Sequence, residues 1–218
     1  MRAMAALLAL LITSTHVSAE DFKFGTDLPA SGWHAVSFPS IAPAVFSARA
    51  GTLEVVADRA AGFLWHGLKP PRPAPATAWW SWKVDEGVRP SDLTKRGEDD
   101  RSLAVYFVFG AAEDASKGLM ALLSASTVTC LAYVFGGGEP RSSVLPSPHM
   151  GERGKFIILR PADGPKEYWL QERVDLKTDY ARAFHRPPSQ LLAIAVSSDS
   201  DDTRGRTRAN LRDLRIDP

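Results

Sequence analysis

Trp79-Trp80-Ser81-Trp82-Lys83-Val84 is the stretch from which the fold is read. In a strand, successive side chains leave opposite faces. Trp80, Trp82 and Val84 therefore share an apolar face that belongs in a core, while Trp79, Ser81 and Lys83 share the outer one. Runs of the same style, rich in β-branched and aromatic residues and bounded by Gly, Pro, Asn or Asp, recur at 33–38, 45–49, 52–57, 62–66, 103–109, 128–135, 155–160, 191–196 and 208–216. The runs at 103–109 and 191–196 are apolar at nearly every position, as in strands covered on both faces, whereas 52–57 alternates and predicts one wet face. About ten strands with few helices predict an all-β, two-sheet β-sandwich of the jelly-roll or galactose-binding/lectin-like kind.

Two short helices interrupt the pattern. One spans 116–123, with Leu119, Leu122 and Leu123 on a common side; the other spans 178–184, with Thr178 or Asp179 as its N-cap and Pro187-Pro188 as its stop. The Pro-rich stretch 69–75 reads as a connector, because proline lacks the N–H a ladder needs. Strand signals continue on both sides of it, so 20–218 reads as a single β-sandwich domain long enough for one buried core.

The N-terminus sets the expected compartment. Arg2, the apolar run 3–12 and Val17-Ser18-Ala19 read as a secretory signal peptide over 1–19, cut after Ala19, which predicts a periplasmic or secreted chain starting at Glu20. The apolar run is too short to span a bilayer and no later stretch is long enough, so no transmembrane segment is expected in the mature chain. The whole chain holds 26 Lys+Arg against 25 Asp+Glu, and without Arg2 the two are equal. The basic residues Arg204, Arg206, Arg208, Arg212 and Arg215 are interleaved with Asp201, Asp202, Asp213 and Asp217, a self-paired surface that argues against nucleic acid as a partner. Cys130, the single cysteine, lies in an apolar run and is expected to be a small buried side chain.

The usual catalytic signatures are missing from the sequence: no nucleophile elbow, no His pair at zinc spacing, no phosphate-cradling Gly loop. The acidic run Glu98-Asp99-Asp100 has two readings. Asp99 and Asp100 at a sheet rim, with Tyr106 or Tyr133 as partner, would suit acid/base work on a polysaccharide; alternatively they cap a turn by accepting from backbone amides. In Asp199-Ser200-Asp201-Asp202-Thr203, the carboxylates of Asp199, Asp201 and Asp202 are calcium candidates, against the alternative of an acidic turn balanced by Arg204 and Arg206. No other cofactor is indicated. Six Trp exceed what one core needs, and an exposed indole beside polar donors suits a sugar ring. Trp79 with Lys83, and Trp169 beside Tyr168, are the candidate ligand-binding residues; the alternative is that each indole fills the core or covers an edge.

The order Trp80-Ser81-Trp82-Lys83-Val84, Asp99-Asp100, Val105-Tyr106, Leu131-Ala132-Tyr133-Val134, Trp169, Asp179-Tyr180, Pro187-Pro188, the acidic turn and Asp213-Leu214-Arg215-Ile216 resembles the bacterial family of unknown function DUF3047. The resemblance implies an exported protein of β-sandwich or jelly-roll architecture, and it lends no activity. This chain departs from the family pattern in two places. Ala104 stands where the family places an Arg two residues before the strand Tyr, leaving Arg101 as the nearest substitute, and Asp202 stands where an Asn is expected.

Together these features predict a non-catalytic exported module that binds a carbohydrate or another cell-envelope ligand. A polysaccharide-acting hydrolase or lyase using the acidic residues and Tyr106, and a structural envelope protein, are the alternatives.

Overall fold

The computed structural model describes residues 18–218, so the expected signal peptide lies, except for its last two residues, outside the described residues. Among the described residues, fourteen strands and two α-helices follow in order. The first seven strands are β1 (Glu20–Asp21), β2 (Trp33–Val36), β3 (Ala42–Pro43), β4 (Val45–Arg49), β5 (Thr52–Asp58), β6 (Ala60–Arg72) and β7 (Thr77–Glu86). Then come β8 (Arg101–Gly110), α1 (Leu119–Ser124), β9 (Thr129–Gly136), β10 (Val144–Ser147), β11 (Gly151–Arg160), β12 (Leu170–Asp175), α2 (Leu176–Phe184), β13 (Gln190–Asp199) and β14 (Arg206–Asp217). They form two sheets. The six-stranded sheet runs β12, β7, β14, β5, β4, with β1 against β14; the eight-stranded sheet runs β10, β11, β9, β8, β13, β6, β2, with β3 against β6. This is the two-sheet β-sandwich that the alternation predicts.

Trp80, Trp82 and Val84 point between the sheets and are 1%, 0% and 0% exposed. The Trp80 ring centroid lies 5.5 Å from that of Trp82 and 5.5 Å from that of Tyr133, so β7 and β9 are joined through aromatic contacts across the core. Trp82 donates its indole N–H to Glu172 Oε1 at 3.1 Å, and Arg160 Nε donates to the same oxygen at 2.6 Å. Burying a carboxylate is costly without such partners. Every residue of β8 is buried, because a second apolar layer lies on the outer side of the eight-stranded sheet. There Tyr106, Val108, Ala132 and Phe156 pack beneath Leu119 and Leu122 of α1.

Three expectations are corrected in detail. The Pro-rich connector begins later than expected, since β6 continues through Arg72. Pro70 and Pro71 fall where the register against β13 shifts between Leu191 and Ala193, so the missing N–H groups interrupt no paired stretch. The second helix starts at Leu176, and its cap is Asp175, which accepts from the Thr178 N–H at 2.8 Å, in place of Thr178 or Asp179. The first helix is shorter than expected, because a 3-10 turn over Ala112–Ser116 and an extended Gly118 precede it.

Candidate functional site

The polar groups singled out in separate segments meet on the outer face of the eight-stranded sheet. Arg101 opens β8 and Asp199 closes the neighbouring β13, and register pairs the two residues directly. Arg101 Nη1 lies 3.3 Å from Asp99 Oδ2 and 3.3 Å from Asp199 Oδ2. Its Nε donates to the Tyr106 hydroxyl at 2.9 Å, and Ser197 Oγ donates to the same oxygen at 3.2 Å. The Arg101 guanidinium also lies 5.4 Å from the Phe156 ring centroid. His149, on the loop between β10 and β11, brings Nε2 to 3.2 Å from Asp99 Oδ2.

The electrostatics split the two carboxylates. Burial drives Asp199 up to about 9; Arg101 opposes the rise, and Asp201 and Asp100 add to it. Burial works on Asp99 in the same direction, but the hydrogen bond from His149 and the charge of Arg101 outweigh it and hold that carboxyl below its usual value. Asp199 Oδ1 is buried and has no hydrogen-bond partner among the described residues. Burial also pushes the Cys130 thiol up to about 12, so the cysteine is the inert small side chain its apolar run predicts.

This network forms one end of a cleft of about 400 Å³. Phe38, Phe63, Phe156, Leu123 and Met150 supply apolar walls, while Cys130, Ala132 and Gly154 line it with small side chains. Gly154 has a specific reason to be glycine. A Cβ there would stand 2.7 Å from Ser147 Cβ and 2.8 Å from Met150 Cβ, so the loop carrying His149 lies down on the sheet only over a bare backbone. Arg153 holds the other wall by donating through Nη1 to the Ala125 carbonyl at 2.7 Å and the Leu123 carbonyl at 3.2 Å.

The other candidates are placed as follows. Asp100 is fully buried and is capped by the acidic turn: its carboxylate accepts from the Asp202 N–H at 3.2 Å, the Thr203 N–H at 2.8 Å and the Thr203 hydroxyl at 2.5 Å. That is the turn-capping arrangement. Tyr133 is not a partner of Asp99 or Asp100. Its side chain lies in the core between the sheets and donates to Asp179 Oδ2 at 2.9 Å, because it and Tyr106 leave their strands on opposite faces. Asp100, Asp199 and Asp201 each bring a carboxylate oxygen within 4.8 Å of one another, and Asp202 is outside this group. The Asp202 and Thr203 amides cap Asp100, and the Arg101 guanidinium pairs with Asp199 beside it.

Trp79, Lys83, Tyr168 and Trp169 lie on or beside the outer face of the six-stranded sheet, across the sandwich from the cleft. The guanidinium carbons of Arg173 and Arg215 sit 5.0 and 5.3 Å from the Trp79 ring centroid, and its indole N–H goes to Asp217 Oδ2 at 2.8 Å. Trp79 lines a shallow hollow with Gln171, Asp213 and Arg215. The Arg212 guanidinium lies 4.1 Å from the Trp169 ring centroid, and Lys83 Nζ, paired with Asp85 at 2.8 Å, lies 6.0 Å from it. Tyr168 is 61% exposed and points to solvent. Both indoles thus carry cations of their own chain against their faces.

Sequence reasoning missed His149 altogether, and it assigned Arg101 no role beyond that of nearest substitute for a family arginine. A lone His in a Pro-bounded loop carries no local signal; only the fold brings it to Asp99.

Fold and site define a β-sandwich protein with a polar-ended cleft on the outside of its larger sheet. The chain belongs to the family described as protein of unknown function DUF3047, whose model matches residues 31–215. No curated protein matches it. Among solved structures it is similar to a thermostable cellulase derived from that of Rhodothermus marinus, with a TM-score of 0.47, 12% identity and coverage of 90% of this chain and 98% of that one. The xyloglucanase domain of a type three effector from Sinorhizobium fredii matches with a TM-score of 0.46 and 11% identity over 84% of this chain and 92% of that one. A family 29 carbohydrate-binding module from Piromyces equi matches with a TM-score of 0.42 and 9% identity over 91% of this chain and 89% of that one. These likenesses are of architecture only. Among the described residues, no helix is long and apolar enough to cross a membrane.

Proposed function

We propose that this is an exported binding protein that holds a carbohydrate or another cell-envelope ligand in the cleft over Arg101. The reading rests on one observation. A cleft of about 400 Å³ with aromatic and aliphatic walls ends on the convergent polar groups of Asp99, Asp199, Asp201 and His149, the lining expected of a small-molecule site. A hydroxyl-rich ligand matches such a set of acceptors. Export is carried by the sequence of residues 1–19 alone. Affinity electrophoresis through envelope polysaccharides tests the function: Asp199→Ala and His149→Ala should abolish the retardation of the wild type, whereas Trp79→Ala and Trp169→Ala should leave it. The reverse pattern would move the site to the six-stranded sheet.

A second reading is favoured by the opposite perturbation of Asp199 and Asp99 beside one guanidinium, since an acid and a base are made by pushing two carboxyls apart. In it the ligand is a glycoside, Asp199 protonates the leaving oxygen and Asp99 acts through His149 on water. Reducing-end release from the retarding polysaccharide separates the two: a binding protein gives none above an Asp199→Asn control.

A further inference from the structure

The register of the eight-stranded sheet gives the cleft a direction. Arg101 pairs with Asp199 on one side and with Gly136 on the other, placing the charged cluster at one end of β8. Further along, Tyr106 pairs with Ala132, and Ala132 with Phe156. Beyond them Val108 pairs with Cys130, and Cys130 with Gly154, near the end that α1 covers with Leu123 and Met120. The lining therefore passes from carboxylates and an imidazole, over aromatic rings that the Arg101 guanidinium touches, to an end where Met120 and Leu123 are the apolar side chains beside Arg153.

The cations at the cleft are already engaged. Arg101 is shared among Asp99, Asp199 and Tyr106, Arg153 is held by backbone carbonyls, and Lys155 Nζ lies 2.5 Å from Glu152. Around the polar end stand Asp99, Asp199, Asp201, Asp202 and His149, which favour a head that donates hydrogen bonds and disfavour an anion. The volume, about 400 Å³, lies in the range of small-molecule pockets, roughly 300–1,000 Å³.

We propose that the ligand is an amphiphile, an uncharged sugar head carrying a short alkyl or acyl chain, with its hydroxyls at Asp99, Asp199 and His149 and its chain along Tyr106 and Phe156 towards Met120. This rests on the reading that the cleft is the ligand site, and it names the class of ligand that site takes. A free sugar would leave the aliphatic end empty, and a fatty acid would bring its carboxylate to Asp99 and Asp201.

Isothermal titration of the protein with methyl, butyl, hexyl and octyl glucoside, each below its micelle concentration, and with octanoate, tests this. Affinity should rise by about fourfold for each methylene until the cleft is full, and octanoate should bind more weakly than octyl glucoside. Met120→Ser, at a 44% exposed position, should shrink the gain from the longest chains. Phe156→Ala should flatten the whole series. Equal binding of methyl and octyl glucoside would overturn the amphiphile and leave the cleft standing as a sugar site. Octanoate binding as tightly as octyl glucoside would overturn the uncharged head. No binding of any glucoside would overturn the amphiphile, whereas absence of retardation by the envelope polysaccharides would overturn the reading beneath it.

Discussion

Arg101 and Asp199 join the first residue of β8 to the last residue of β13, Nη1 to Oδ2 at 3.3 Å. Asp99 approaches the same nitrogen from the preceding turn, so one buried guanidinium holds two carboxyl groups at the mouth of the cleft. Removing one partner of a buried pair leaves the other charge uncompensated. Arg101→Met should therefore cost about 3–5 kcal/mol of stability in urea denaturation, with Arg101→Lys in between because a lysine cannot reproduce the guanidinium fork. A loss below 1 kcal/mol would show that the network is not fixed in solution.

Asp199 sets a pH dependence whose direction follows from its raised value. The folded protein keeps a proton that the unfolded chain releases, between the ordinary carboxylate value of 3.8 and about 9. Stability should fall as pH rises through that window, because the folded state then binds more protons than the unfolded one. Asp199→Asn removes the titration, so its melting temperature should vary less than that of the wild type between pH 5 and 9. Parallel curves for the two proteins would contradict the assignment.

Trp82→Phe should cost about 1–3 kcal/mol, because the buried Glu172 loses the indole donor at 3.1 Å and the smaller ring leaves space in the core. Arg160 remains on that carboxylate and keeps the loss moderate. Chemical denaturation of the variant beside Trp79→Phe, whose ring is only half-buried, gives the comparison.

Gly154→Ala places a methyl group within 3 Å of Ser147 Cβ and Met150 Cβ and should lift the loop that carries His149. Overpacking of this kind costs about 1–3 kcal/mol. The distinctive outcome is functional: retardation by envelope polysaccharide should weaken, with the core Trp fluorescence unchanged. A variant that binds normally would show that the position of His149 is immaterial.

The fold was legible where side chains alternate. Trp80, Trp82 and Val84 face the core, and the apolar run 103–109 is covered on both sides. The strands left unseen are those without that signal. β12 reads as polar because one of its core-facing positions is Glu172, which only a tertiary contact with Trp82 and Arg160 makes acceptable. β1, β3 and β10 are too short to show a period. The site was legible in pieces, as Asp99 and Tyr106 in one segment and Asp199 in another. That they share a guanidinium depends on β8 and β13 being neighbours, and that His149 joins them depends on a loop packed over Gly154. The aromatic excess pointed to the opposite face, where arginines cover the two indoles.

The most direct measurement is a nuclear magnetic resonance titration of the labelled protein with octyl glucoside, following backbone amides and the six indole N–H groups together. Binding in the cleft predicts shifts at Tyr106, His149, Phe156 and Asp199, with the indole signals of Trp79 and Trp169 unmoved. Shifts confined to Trp79, Trp169 and their arginines, with the cleft silent, would contradict it.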